Sequence, residues 1–130
     1  MKEVFDFLKK AGVFYLATID GDKPRVRPFG AINIFEDKMY IQTGKIKNVS
    51  KQMQINPNVE ICAFTEGKWL RVEAKVVRDE RREAKVSMLE ANPSLKGMYS
   101  ADDDNTEVLY LENVKATFYS FTEEPKTINF

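Results

Sequence analysis

The chain of 130 residues contains no histidine and a single cysteine, Cys62. The missing histidine excludes Ser-His-Asp and Cys-His catalysis, HExxH metal sites, and histidine as haem ligand or general base. The lone cysteine excludes an internal disulfide and any multi-cysteine zinc site. No apolar run approaches the roughly 20 residues that cross a membrane, and the opening MKEVFDFLKK lacks the apolar segment of a secretory signal. A soluble cytoplasmic protein with no membrane partner is therefore expected. Net charge is lacking as well, since 20 Lys+Arg balance 20 Asp+Glu. That argues against nucleic-acid binding through a broadly basic surface, while leaving room for a local basic pocket. Any chemistry falls to a bound cofactor or to Lys, Arg, Tyr and carboxylates.

Hydrophobic residues make up 43% of the chain, enough for a core in one domain spanning 1–130. A domain this small leaves apolar surface uncovered, which favours oligomerisation. Val4, Phe5 and Leu8 at helical spacing predict a helix over 2–11, ended by Gly12. VFYLATI (13–19) predicts a strand, and Asp20-Gly21 a hairpin turn into KPRVRPFGAINIF (23–35). KMYIQT (38–43) follows the turn at Glu36-Asp37. Ile46, Val49 and Met53 share a helical face over 46–55, stopped by Asn56-Pro57. VEICAF (59–64) and WLRVEAKVV (69–77) form a second hairpin through Glu66-Gly67; in the latter Leu70, Val72, Ala74 and Val76 alternate with polar residues. Residues 80–91 predict a charged amphipathic helix whose RDERRE run is solvated. After an acidic loop, 107–121 predicts one long or two short strands, and TEEPKTINF a tail. Six mostly antiparallel strands with short helices describe a mainly β protein, a small antiparallel barrel.

The stretch 23–35 is unusual, because Pro28 and Gly30 interrupt a strand that also carries Arg25 and Arg27. With Val26, Ile32 and Ile34 turned inward, the arginines face outward with Phe29 and Ala31. Two readings stand: solvated charges on an edge strand, or guanidinium groups that grip a flat anionic ligand against bare backbone. The segment TGKIKNVSK (43–51) offers a second basic patch, with Thr43, Lys45, Lys47, Asn48 and Lys51 around a helix start. Lysines there oppose the helix dipole unless an anion neutralises them. The P-loop spacing is absent. Trp69 and Arg71 stand on the polar face of their strand, where Trp69 suits either an interface or a ligand contact.

The run from ATIDGDKPRVRPFGAINIFEDKMYIQTGKIKNVSKQMQ to INPNVEICAF resembles the pyridoxamine 5′-phosphate oxidase-like FMN-binding split barrels. Within them it is most similar to the small NimA-like (nitroimidazole reductase-like) members. The resemblance covers roughly residues 5 to 122. It implies a six-stranded split β-barrel, a homodimer with FMN at the subunit interface, and an FMN-dependent oxidoreductase that draws on NAD(P)H to reduce a small acceptor. Arg27, with Arg25, matches the family arginine near the FMN phosphate and ribityl chain. The family's Thr-Asn-x-x-Ser-Arg-Lys segment falls on Thr43 to Val49, where only Thr43 is kept, so phosphate binding leans on Lys47 with Lys45 and Lys51. Pro28 and Gly30 would let the ring lie along the strand. Asn48 and Arg71 complete the implied set, and the glutamine that reaches the flavin from the partner subunit falls near Trp69. The missing histidine, and the absence of an Arg-Leu-x-Pro-like segment, disfavour oxidation of pyridoxamine phosphate and haem degradation. A flavin carrier or redox sensor, or a relative that uses a deazaflavin, are the alternatives.

Overall fold

The apolar–polar alternation of the sequence is realised as strands wherever it is regular. The computed structural model, which describes residues 1–130, has helix α1 (Lys2–Ala11) and strands β1 (Phe14–Asp20), β2 (Lys23–Phe29), β3 (Ile32–Phe35) and β4 (Lys38–Gly44). Helix α2 (Asn48–Ile55), β5 (Asn58–Thr65), β6 (Lys68–Asp79) and α3 (Arg82–Ala91) follow. A 3₁₀ turn (Pro93–Gly97), β7 (Thr106–Ser120) and β8 (Lys126–Asn129) complete the chain. The protein is mainly β, with one antiparallel sheet ordered β2-β1-β5-β6-β7-β4-β3 and β8 added to β7.

Two-residue loops join β1 to β2, β3 to β4 and β5 to β6. Positive φ at Gly21, at Glu36 and Asp37, and at Glu66 and Gly67 gives these turns the twist that suits a hairpin. The first loop is Gly21-Asp22, one residue later than the sequence suggests, because Asp20 pairs with Lys23. Inside the roll, α1 and α2 cover a core of Leu8, Phe14, Leu16, Ile41, Ile61, Leu70 and Val72. A smaller cluster of Ala31, Tyr40, Ala84, Met88 and Val108 seats α3 on the other side of β4 and β7.

The sequence leads to six strands, and there are eight. The stretch 23–35 divides at Gly30-Ala31, because β2 pairs with β1 and β3 pairs with β4, at opposite ends of the sheet order. One continuous strand cannot serve both edges. The tail contributes β8 through pairing with β7 from Lys115↔Asn129 to Phe118↔Lys126, an interaction no local pattern announces. β7 is a single strand, whose ladder with β6 shifts register between Glu73 and Lys75, opposite Asn113 at φ 53°.

The faces of β2 are also the reverse of the sequence expectation. Val26 is 68% exposed, whereas Phe29 packs on the core beside Phe14 and Arg27 is half-buried. Val26 was the wrong guide, since an edge strand has room for an apolar residue outside. The prolines fit the same geometry. The pair that closes a two-residue hairpin is hydrogen-bonded and alternate pairs are not, so Pro24 opposite Ile19 and Pro28 opposite Tyr15 take non-bonded positions. Neither proline removes a bond to β1.

Arg81 is likewise engaged rather than solvated. It binds Asp79 through Nη2 at 2.9 Å and Glu36 at 2.7 Å, while the buried Tyr40 hydroxyl donates to Asp79 at 2.8 Å. These bonds tie β3, β4, β6 and the start of α3 together. Hydrogen bonds from Arg81 hold the Asp79 carboxyl well below its ordinary range, at about 2. A depressed carboxylate stabilises the fold above its unfolded pKa near 4, and that stabilisation disappears as pH falls through about 4 to 2. Asp79→Asn should therefore cost about 2 kcal/mol at pH 6 and progressively less below pH 4. Urea unfolding of both proteins at pH 6 and pH 3 checks it; an Asp79→Asn deficit that does not shrink at low pH contradicts this account.

Candidate functional site

The sheet order starts at β2 and ends at β3, and the chain itself bridges the two edges through Gly30 and Ala31. A cavity of about 360 Å³ lies along this seam, within the size range of small-molecule sites. Arg27 to Ala31 form one wall. Gln42 and Thr43 on β4, Lys47 and Val49 at the head of α2, and Asn92, Leu95 and Tyr99 after α3 form the rest.

Arg27 is placed by neutral partners. Its Nη2 donates to Gln52 Oε1 at 2.7 Å, and its Nη1 donates to Thr18 Oγ1 at 2.8 Å and to the Leu16 carbonyl at 3.2 Å. Thr18 in turn donates to Gln52 at 2.6 Å. None of these groups carries charge, and no carboxylate lies within ion-pair distance of Arg27. Burial, and then the neighbouring Arg25, pull its pKa below the ordinary value; a guanidinium nonetheless stays protonated at any working pH. The result is a fixed, partly desolvated positive charge without a counter-ion. Lys47, the residue that precedes α2, has no ion-pair partner either. No side chain caps α2, so its first N–H groups lack intrahelical acceptors and add to the same positive field.

Of the ten residues singled out in the sequence, Arg27, Pro28, Thr43 and Lys47 meet at this cavity. Three of the other cations are engaged elsewhere in the chain. Arg25 pairs with Asp20 at 3.1 Å, Lys45 with Glu80 at 3.2 Å and Arg71 with Glu60 at 2.6 Å. Asn48 and Lys51 are exposed beside the cavity without lining it. Trp69 is on the outer face of the sheet, stacked on Tyr119 at 5.5 Å and tilted against Phe121.

Sequence reasoning missed Gln42, Gln52 and Asn105. Gln42 is 7% exposed, and neither atom of its carboxamide has a hydrogen-bond partner. A polar residue inside the apolar pattern of KMYIQT was the available signal. Asn105 comes from the acidic loop: its carbonyl accepts from Lys45 N–H at 2.8 Å and its Oδ1 from Ile46 N–H at 3.2 Å, which fixes the approach to α2. Asp103 supports it by accepting from the N–H groups of Ser100, Asn105 and Thr106. This loop is a brace for the site.

An antiparallel roll whose two edges meet at a bent strand, with a cationic cavity in the gap, is a split β-barrel. The model of the pyridoxamine 5′-phosphate oxidase family matches residues 1–119, and the chain belongs to that family. It is similar to a NimC/NimA family protein from Clostridium acetobutylicum, at 48% identity with a TM-score of 0.97 over 100% of this chain and 92% of that one. More remote structures share the fold. General Stress Protein 26 from Bacillus anthracis has 17% identity and a TM-score of 0.79 over 99% and 97% of the two chains. A pyridoxamine 5′-phosphate oxidase-related, FMN-binding protein from Nostoc punctiforme has 14% identity and a TM-score of 0.72 over 99% and 95%. No curated protein matches the chain.

Proposed function

We propose that the seam cavity holds FMN and that the protein is an FMN-dependent oxidoreductase, passing reducing equivalents from NAD(P)H to a small acceptor. The observation that carries this reading is the unpaired guanidinium of Arg27 facing the same cavity as Lys47 and the head of α2. Such a cluster suits a phosphate, which accepts several charge-assisted hydrogen bonds at once. The backbone from Pro28 to Ala31 gives a ring a wall to lie on. Nothing in the chain requires glycine at position 30, where an added Cβ would meet only the Gly12 carbonyl at 3.6 Å. FMN, when bound, supplies hydride chemistry at its ring, so no histidine is needed. The chain has to bind the phosphate, orient the ring and leave one face open.

A homodimer belongs to the same proposal. The outer face of β1, β5, β6 and β7 exposes Tyr15, Phe64 (61% exposed), Cys62 and Phe121 around Trp69 and Tyr119. A second copy of the chain packed there would cover this aromatic strip. The purified protein should be yellow, with bands near about 370 and 450 nm from the flavin ring. It should travel as a dimer of the 15.0 kDa chain, and the long-wavelength band should bleach when NADH or NADPH is added without oxygen. Colourless protein that ignores added FMN sinks the reading. Bound FMN that neither nucleotide reduces would leave a carrier or sensor in its place.

A further inference from the structure

Gln42 is the one side chain in the cavity wall whose polar atoms are both buried and both unpaired. It sits in the middle of β4, opposite Val108, on the face that α3 covers. The Asn92 amide nearby is not its partner, since it donates to the carbonyls of Ile32 and Met88. A buried carboxamide without partners opposes folding, whereas an apolar side chain of the same shape would not. No group of the chain therefore complements this amide, and both of its atoms are open to what enters the cavity.

A carboxamide presents a donor and an acceptor side by side. Its natural complement is another amide edge: a ring lactam or imide, or a second carboxamide. Arg27 hangs from β2 beside α2, and Gln42 projects from β4 beneath α3, so charge and amide occupy different walls. We propose that Gln42 recognises the amide-like edge of a heterocycle bound in the same cavity as the phosphate that Arg27 and Lys47 hold. This rests on the flavin reading, and two molecules of that reading share the chemistry. One is the flavin, through the pyrimidine edge of its ring. The other is the nicotinamide of the reductant, through its carboxamide.

Gln42→Met keeps the length of the side chain and removes the amide. Three measurements on wild type and variant decide the matter: thermal unfolding of the apoprotein, FMN titration by fluorescence, and the NADH concentration that half-saturates anaerobic flavin reduction. The apoprotein should melt no lower than wild type, because an unsatisfied group has been removed. FMN affinity should fall about tenfold, the size of one good hydrogen bond lost in a buried site. Inorganic phosphate, used as a competitor of FMN, should bind both proteins equally. Unchanged FMN affinity with an about tenfold higher NADH requirement would assign the same contact to the nicotinamide. Two results overturn the contact alone: equal FMN and NADH behaviour in both proteins, or a variant that melts several degrees lower and loses phosphate binding in proportion. A wild type that ignores FMN overturns the flavin reading and this contact with it.

Discussion

Replacing Arg27 by alanine is expected to weaken FMN binding by roughly 1.5–3 kcal/mol, the range for a hydrogen bond to a charged group. That is on the order of tenfold to a hundredfold in dissociation constant. The magnitude follows from the way the guanidinium is held. Gln52, Thr18 and the Leu16 carbonyl fix its plane but leave its charge unneutralised, so an arriving phosphate meets a donor already oriented. Lys47→Ala should act in the same direction with a smaller effect, since its flexible side chain is exposed and no hydrogen bond orients it. Arg25→Ala is the informative comparison. It shares a strand and a charge with Arg27, but it is exposed and paired with Asp20 at 3.1 Å, and it should change affinity little. Flavin titration of the three variants, with circular dichroism to confirm folding, gives the answer. Equal loss in Arg25→Ala and Arg27→Ala would mean that only net charge matters, and the arrangement around Arg27 would have no special role.

The largest loss of stability is expected from Arg78→Ala. Glu107 is 1% exposed, and its Oε2 accepts from Arg78, while its Oε1 has no partner. Taking away the guanidinium strands a buried carboxylate, at a cost of about 3 kcal/mol, the lower end for a broken buried pair because Arg78 itself reaches solvent. The consequence extends to the site, since Glu107 lies directly across the ladder from Thr43, which lines the cavity. Glu107→Gln combined with Arg78→Ala should recover much of the loss, because the stranded charge is gone. Denaturant unfolding of the single and double variants checks both statements; a single variant within about 0.5 kcal/mol of wild type, the range of ordinary surface substitutions, would show that Glu107 is adequately solvated without its partner.

Most elements were legible because their signals are local. The alternation of Leu70, Val72, Ala74 and Val76, the turn residues at Glu66-Gly67, and the helical spacing of Val4 and Leu8 each act within a few residues. What escaped the sequence depends on partners far along the chain. β8 exists because β7 offers it an edge, and the break at Gly30 exists because β2 and β3 end up at opposite margins of the sheet. The candidate site divides in the same way. Arg27, Thr43 and Lys47 were found from residue type and position, but so were Arg25, Lys45 and Arg71. Only the fold separates the two groups, by bringing Asp20, Glu80 and Glu60 to the latter. Gln52 could not be chosen in advance, because its role is defined by Thr18 and Arg27, which meet it only once α2 has packed on β1.

The positions of Pro24 and Pro28 set a rule for how copies of this molecule can meet. A strand at the margin of a sheet ordinarily offers a comb of N–H groups on which a further strand can zip, and repeated zipping makes fibres. On β2 the outward-pointing donors would belong to residues 24, 26 and 28, and two of those three have no hydrogen to give. Only Val26 keeps a free donor on that side, too little to template a ladder. Growth of one continuous sheet through this margin is closed off. The proposed dimer through the aromatic face is compatible with this, because it needs no hydrogen bonds from that margin.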